Sequence, residues 1–288
     1  MPDKPKKADG YTSEQVQIVK STCLYVATIL GDLMNELVIV GGLVPSLLIN
    51  QEELTDGIEA HIGTMDLDLG VALAILDGKR YQTLAERLRG AGFKPAVNKK
   101  GNPTRQRWII DDNEHAAVDF LIQPTLTDDK GGKLRDLEPD FAAIIAPGLH
   151  LAFENREQIL ISGKTIKGET AERRVWVCGP GAYIILKSIA FRLRGENKDA
   201  YDLYYLIRNY SGGIDELVSQ IIPLMGDNSA KEAIQYLKED FREHESVGPR
   251  RVAEFTRGGP DDEVQADVVS YLSSLLARCS IDSGLDIG

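Results

Sequence analysis

The sequence predicts a mixed α/β (α+β) protein, a small mixed sheet flanked by helices and followed by a mainly helical C-terminal part. Three observations carry this. The apolar run "LVIV" ahead of "GG", and "TMDLDLGVAL" after a polar loop, read as buried strands. "FKPAV", "RQRWIID" and "HAAVDFLI", separated by "NKKGNP" and "DDNE", read as an antiparallel meander. Beyond Gly179, apolar residues recur at helical spacing in "GAYIILKSIAFRLR", "KDAYDLYYLIRNY", "IDELVSQIIPLM", "SAKEAIQYLKEDFREH" and "DDEVQADVVSYLSSLLARC". A chain of 288 residues then divides into two domains, residues 1–165 and 166–288.

The elements follow in order. After a frayed head, Thr12 and Gln15 stand at capping-box spacing, and Val16, Val19, Cys23, Val26, Leu30, Met34 and Leu37 continue at helical spacing, so a first helix occupies this segment. The strand Leu37 to Val40 turns at Gly41 and Gly42 into a helix around "LVPSLLIN", with Pro45 suited to its first turn. "QEELTDGIEAHIG" is a polar loop, and "KRYQTLAERLRGAG" an amphipathic helix that stops at glycine. Residues 123–147, rich in Asp, Gly and Pro, read as a long excursion, and "EQILISGKTIKG" and "RRVWVC" as further strands.

Composition narrows the function classes. A hydrophobic share of 43% and a charged share of 27% are those of an ordinary globular protein. No uninterrupted apolar run approaches the roughly 18 to 20 residues that span a bilayer, and no signal-peptide pattern follows the basic start, so a cytoplasmic protein with no membrane partner is expected. Cys23, Cys178 and Cys279 fit no metal-ligand spacing and read as core thiols. A net charge of -11 argues against a general nucleic-acid coat, so any polyanion must meet a local patch.

The chemistry begins at "GTMDLDLGV". Alternation along a strand sends Asp66 and Asp68 to one side and Leu67 and Leu69 to the other. Two like charges beside a core need a cation between them, and paired carboxylates are the oxygen ligands that hold a divalent metal. A pair at an exposed strand end is the bland alternative. "VIVGG" brings backbone N–H groups toward any phosphate, although paired glycines alone are a turn signal. In "AAVDFLI", Asp119 lies alone in an apolar strand, as a partnered core aspartate or as a third carboxylate of one sheet face.

"VGG", then "DLD", then a lone aspartate in a later strand resembles the pattern of the polymerase-beta-like nucleotidyltransferase superfamily. The block "LKSIAFRLRGENKDAYDLYYL" is similar to the lysine-and-acidic block of the AbiEii type, the toxin half of many bacterial toxin-antitoxin and phage-abortive pairs. The resemblance covers roughly Val38 to Leu206.

It implies a nucleotidyltransferase sheet on which Asp66, Asp68 and Asp119 hold two Mg ions against an NTP, with Asp119 as general base. Gly41, Gly42, Ser46 and Thr64 would line the nucleotide, although Ser46 also reads as a plain helix residue. Lys187, on the apolar stripe of its helix, would contact the phosphates, with snorkelling at a helix edge as the alternative. Arg192, Arg194 and Lys198 add positive charge, and Asp199 and Asp202 share a helix face that could orient Lys187. The acceptor implied is RNA such as a tRNA 3′ end, and the partner a cognate antitoxin. One departure is that family members carry an arginine just before the threonine of T-x-D-x-D, where this chain has Ile62 and Gly63 with His61 nearby.

Other readings share these residues. The same fold can modify a small molecule or a protein hydroxyl, or persist as an inactive binding module. A D-x-D glycosyltransferase also grips a nucleotide through a metal, but it requires neither "GG" one strand earlier nor Asp119.

Overall fold

The computed structural model describes residues 5–51, 54, 59–72, 79–98, 100–111 and 113–282. The middle of the expected loop after Gln51, and one residue of each expected turn in the meander, lie outside the described residues. The fold is mixed α/β, an open mixed sheet with helices and a run of C-terminal helices. Two compact units make up the chain. The first is built from Tyr11–Val44 and Ile62–Cys178, the second from Pro5–Gly10, Pro45–His61 and Gly179–Gly288.

In the first unit α1 (Ser13–Leu30) opens with a capping box, the Gln15 N–H donating to Thr12 Oγ1 at 3.2 Å and the Thr12 N–H to Gln15 Oε1 at 3.1 Å. The α-helix stops sooner than the apolar spacing suggests. Gly31 adopts φ 55°, and a 3-10 helix over Gly31–Glu36 carries Leu33 and Met34 into the core. Within Ser13–Glu36 an 18-residue window reaches a mean hydropathy of 1.2, enough by length and composition to cross a membrane, although polar residues interrupt it. Here it is a core element, with Val19, Cys23, Val26 and Leu30 buried and α1 packed on the sheet.

Strand β1 (Leu37–Val40) is followed by a 3-10 turn, Gly41–Leu43, and the short α2 (Val44–Leu48), with Pro45 in its first turn. Then come β2 (Asp66–Val71), α3 (Lys79–Gly90), β3 (Phe93–Val97), β4 (Pro103–Ile110) and β5 (Asn113–Ile122). The expected excursion contains two strands, β6 (Leu134–Glu138) and β7 (Phe141–Ile145). The short run "FAAII" becomes a strand because β5 offers it a parallel partner at Leu121 and Ile122, a long-range contact. After α4 (Leu151–Glu154), β8 (Arg156–Lys164) and β9 (Thr170–Cys178) form a hairpin.

The sheet runs β3-β4-β5-β2-β1-β9-β8, with β7 also paired to β5 and β6 to β7. β3-β4-β5 is the antiparallel meander, whereas β2 runs parallel to β5 and β1 parallel to β9. Alternation buries Leu67, Leu69, Val118 and Phe120 fully on one face, where Phe141 packs edge-on against Phe120 and Trp108. Asp66, Asp68 and Asp119 take the other face.

The second unit contains α5 (Pro180–Arg194), α6 (Asn197–Asn209), α7 (Gly213–Ile221), α8 (Asn228–Asp240), α9 (Val247–Arg257) and α10 (Asp262–Asp282). α9 is not among the helices expected from apolar spacing. "VGPRRVAEFTR" carries Gly and Pro, yet Pro249 lies in the first turn, where it is tolerated, and Gly248 lies against the Phe241 ring. The three cysteines are buried and form no disulfide with one another.

Candidate functional site

β2 and β5 are parallel neighbours, in register Asp66 with Ala117 and Asp68 with Asp119. That pairing, with the two-residue period of a strand, gathers the three carboxylates on one sheet face. One oxygen from each lies within 4.8 Å of the others. Asp66 is 1% and Asp119 5% exposed, while Asp68 is half-buried. Three hard oxygen ligands at this spacing suit a divalent metal ion, so the cluster could hold one.

A cation not evident from the sequence already lies among these carboxylates. Arg107, opposite Asp119 on β4, donates from Nε to Asp119 Oδ1 at 2.8 Å, and one terminal nitrogen bonds both Asp66 and Asp119. Burial disfavours its charge, but Asp119, Asp66 and Asp68 outweigh that and push its pKa up, so the guanidinium stays charged. Like charges therefore share the sheet face because a cation bridges them. An arginine inside "RQRWII" is the signal, legible only once the register puts it opposite Asp119.

Thr64 Oγ1 donates to Asp66 Oδ1 at 3.2 Å and fixes that carboxylate. Gly41 turns with φ 72°, and a Cβ there would overlap the Asp68 carboxylate. Gly42 is buried in the same turn. Gly41→Ala is therefore expected to displace Asp68 and weaken Mn²⁺ binding at least tenfold by calorimetry, whereas Gly90→Ala, with open space around it, leaves binding unchanged. Gly63, where the family pattern places an arginine, has φ 82°, and a side chain would strike Val16.

In the second unit Lys187, only 6% exposed on α5, donates from Nζ to Asp199 Oδ1 and Asp202 Oδ2, each at 2.8 Å. Arg194 grips Asp199 with two bonds of 2.6 and 2.8 Å, and Lys198 Nζ reaches Asp202 Oδ1 at 2.6 Å. Burial penalises both carboxylates, but Lys187 and the neighbouring cations hold them well below the usual range. Burial likewise disfavours the Lys187 charge, and Asp199 and Asp202 more than restore it, so its pKa is raised. Arg192 is engaged elsewhere, with Glu239 at 2.5 Å and over the Tyr236 ring.

His61 joins this cluster, a place its sequence neighbours do not reveal. Its Nε2 is 3.0 Å from Asp202 Oδ1 and its Nδ1 2.9 Å from Ser46 Oγ, and the ring stacks on Tyr201. Burial first, then Lys198 and Lys187, against the pull of Asp202, lower its pKa to about 4. The ring is therefore neutral, giving its Nε2 proton to Asp202 and accepting the Ser46 hydroxyl proton at Nδ1. Ser46 is thereby a buried partner of His61, and nothing short of tertiary contact could reveal it.

This has a pH consequence. The folded pKa lies below the unfolded value, so the contribution of His61 is full above about pH 6.5 and lost as pH falls through about 4, amounting to about 3 kcal/mol. Thermal melts are expected to show stability falling over that window. In His61→Gln the slope flattens between pH 6.5 and 4, and an unchanged slope would remove the neutral-histidine assignment.

No protein-family model matches this chain, and no curated protein matches it.

Proposed function

We propose that this protein is a metal-dependent nucleotidyltransferase of AbiEii type, transferring NMP from an NTP to an acceptor hydroxyl, with RNA such as a tRNA 3′ end as acceptor. The observation that carries the reading is the meeting of Asp66, Asp68 and Asp119 on adjacent parallel strands, beside the Gly41 turn that ends β1. Two Mg ions at these carboxylates would supply Lewis-acid stabilisation of the pentacovalent phosphorus and of the leaving pyrophosphate.

The chain's own residues do the rest. Thr64 and Arg107 hold Asp66 and Asp119 in place. Asp119 is the general base that takes the acceptor hydroxyl proton. Lys187 stays protonated inside its carboxylate pair, and a contact of this lysine with nucleotide phosphates is part of the same reading. As a toxin, the protein would act with a cognate antitoxin.

The test incubates the purified protein with each labelled NTP, Mg²⁺ and total RNA. Label is expected in the RNA, with pyrophosphate released and both abolished by a chelator. No transfer from any NTP to RNA, protein or small-molecule acceptors would remove the assignment.

A further inference from the structure

The hairpin β8-β9 belongs to the same sheet as the carboxylates. Ile39 on β1 pairs with Val177 on β9, and Val40 pairs with Asp68 on β2. Val177 therefore shares the face opposite the carboxylates, and Trp176 and Arg174 share theirs. Their partners across the hairpin, Gln158 and Leu160, lie on that face too, as do Lys164 and the exposed Glu172. β9 is two strands from β2, about 10 Å at ordinary strand spacing.

This stretch of sheet face is unusual for the chain. Leu160 is 49% exposed, and Arg174 and Lys164 are exposed. The Arg156 guanidinium stacks 4.2 Å over the half-buried Trp176 ring. The protein has 44 acidic against 33 basic residues, and Arg87, Arg105, Arg135 and Arg278 each have a carboxylate partner. Lys164 and Arg174 have no such partner among the described residues. Cations left without an internal counter-ion in an acidic chain, beside an aromatic and an apolar ledge, complement a polyanion with flat bases.

We propose that this hairpin face is the docking surface for the single-stranded end of an RNA acceptor. Phosphates lie on Arg174 and Lys164, and bases stack on the ledge formed by Arg156, Trp176 and Leu160. The inference rests on the transferase reading, which makes an RNA the acceptor.

The test is fluorescence anisotropy of a labelled single-stranded RNA oligonucleotide over a salt series, with duplex RNA and heparin as competitors. Wild type is expected to bind, and Lys164→Gln/Arg174→Gln to bind at least tenfold more weakly, its log–log salt slope smaller by about 1.4 for two lost phosphate contacts. Arg250→Gln should bind as wild type does. A double variant binding like wild type, no RNA binding by wild type, or competition by duplex RNA or heparin as strong as by single strands would each overturn the proposal. Failure of the two ideas separates cleanly. Hairpin-dependent RNA binding with no labelling by any NTP removes the transferase and leaves the surface, whereas labelling with an unchanged RNA KM in the double variant removes the surface and leaves the transferase.

Discussion

Asp68→Ala is expected to lower nucleotidyl transfer by about 10³-fold or more while moving the melting temperature little. Metal-borne charge stabilisation supplies several kcal/mol in such a site, and each 1.36 kcal/mol is tenfold in rate. Asp68 is the one carboxylate of the three that is half-exposed. Its loss therefore leaves no deeply buried charge behind, and Asp66 and Asp119 keep Arg107 between them. Initial rates of label incorporation, set beside a thermal melt, check this. Wild-type labelling by Asp68→Ala would exclude a role for that carboxylate, whereas equal losses of activity and stability would show that it acts through the fold.

Arg107→Met should cost about 3–5 kcal/mol of stability in a chelating buffer, because Asp66 and Asp119 would face each other without the guanidinium inside the protein. The same deletion frees the Asp66 and Asp119 oxygens that the guanidinium engages. A divalent cation at 100 times its Kd should return about 2.7 kcal/mol, and it should raise the variant's melting temperature more than the wild type's. Denaturant melts with and without Mn²⁺ measure both effects. A variant as stable as wild type in chelator would show that the ion pair carries no weight. A variant that no divalent cation rescues would exclude the carboxylates as a metal site.

Much of this architecture is legible without coordinates, and the exceptions have identifiable causes. The Thr12 box and the "LVIV" and "DLDLGV" strands are local signals, set by side-chain capping and by alternation. The end of α1 at Gly31 is local too, but the apolar spacing continues past it into a 3-10 helix and masks it. β7 escapes notice because its strand character comes from β5, and α9 because Gly248 and Pro249 read as helix breakers when their place in a first turn is unknown. Of the candidate site, the acidic residues stand out as charges in apolar runs. Arg107 and His61 do not, since each acquires its meaning from a partner 12 to 141 positions away.

By itself, then, the order of residues determined which segments alternate, which wind, and which acidic side chains an apolar strand would have to accommodate. Only tertiary structure decided that β2 and β5 run side by side in a register that brings the carboxylates together, that an arginine from β4 lies between two of them, and that a loop histidine is neutral. The physical reason is range. Alternation, capping and turn chemistry act within a few residues, whereas charge compensation and desolvation depend on what the fold carries to within a few ångströms, whatever its distance along the chain.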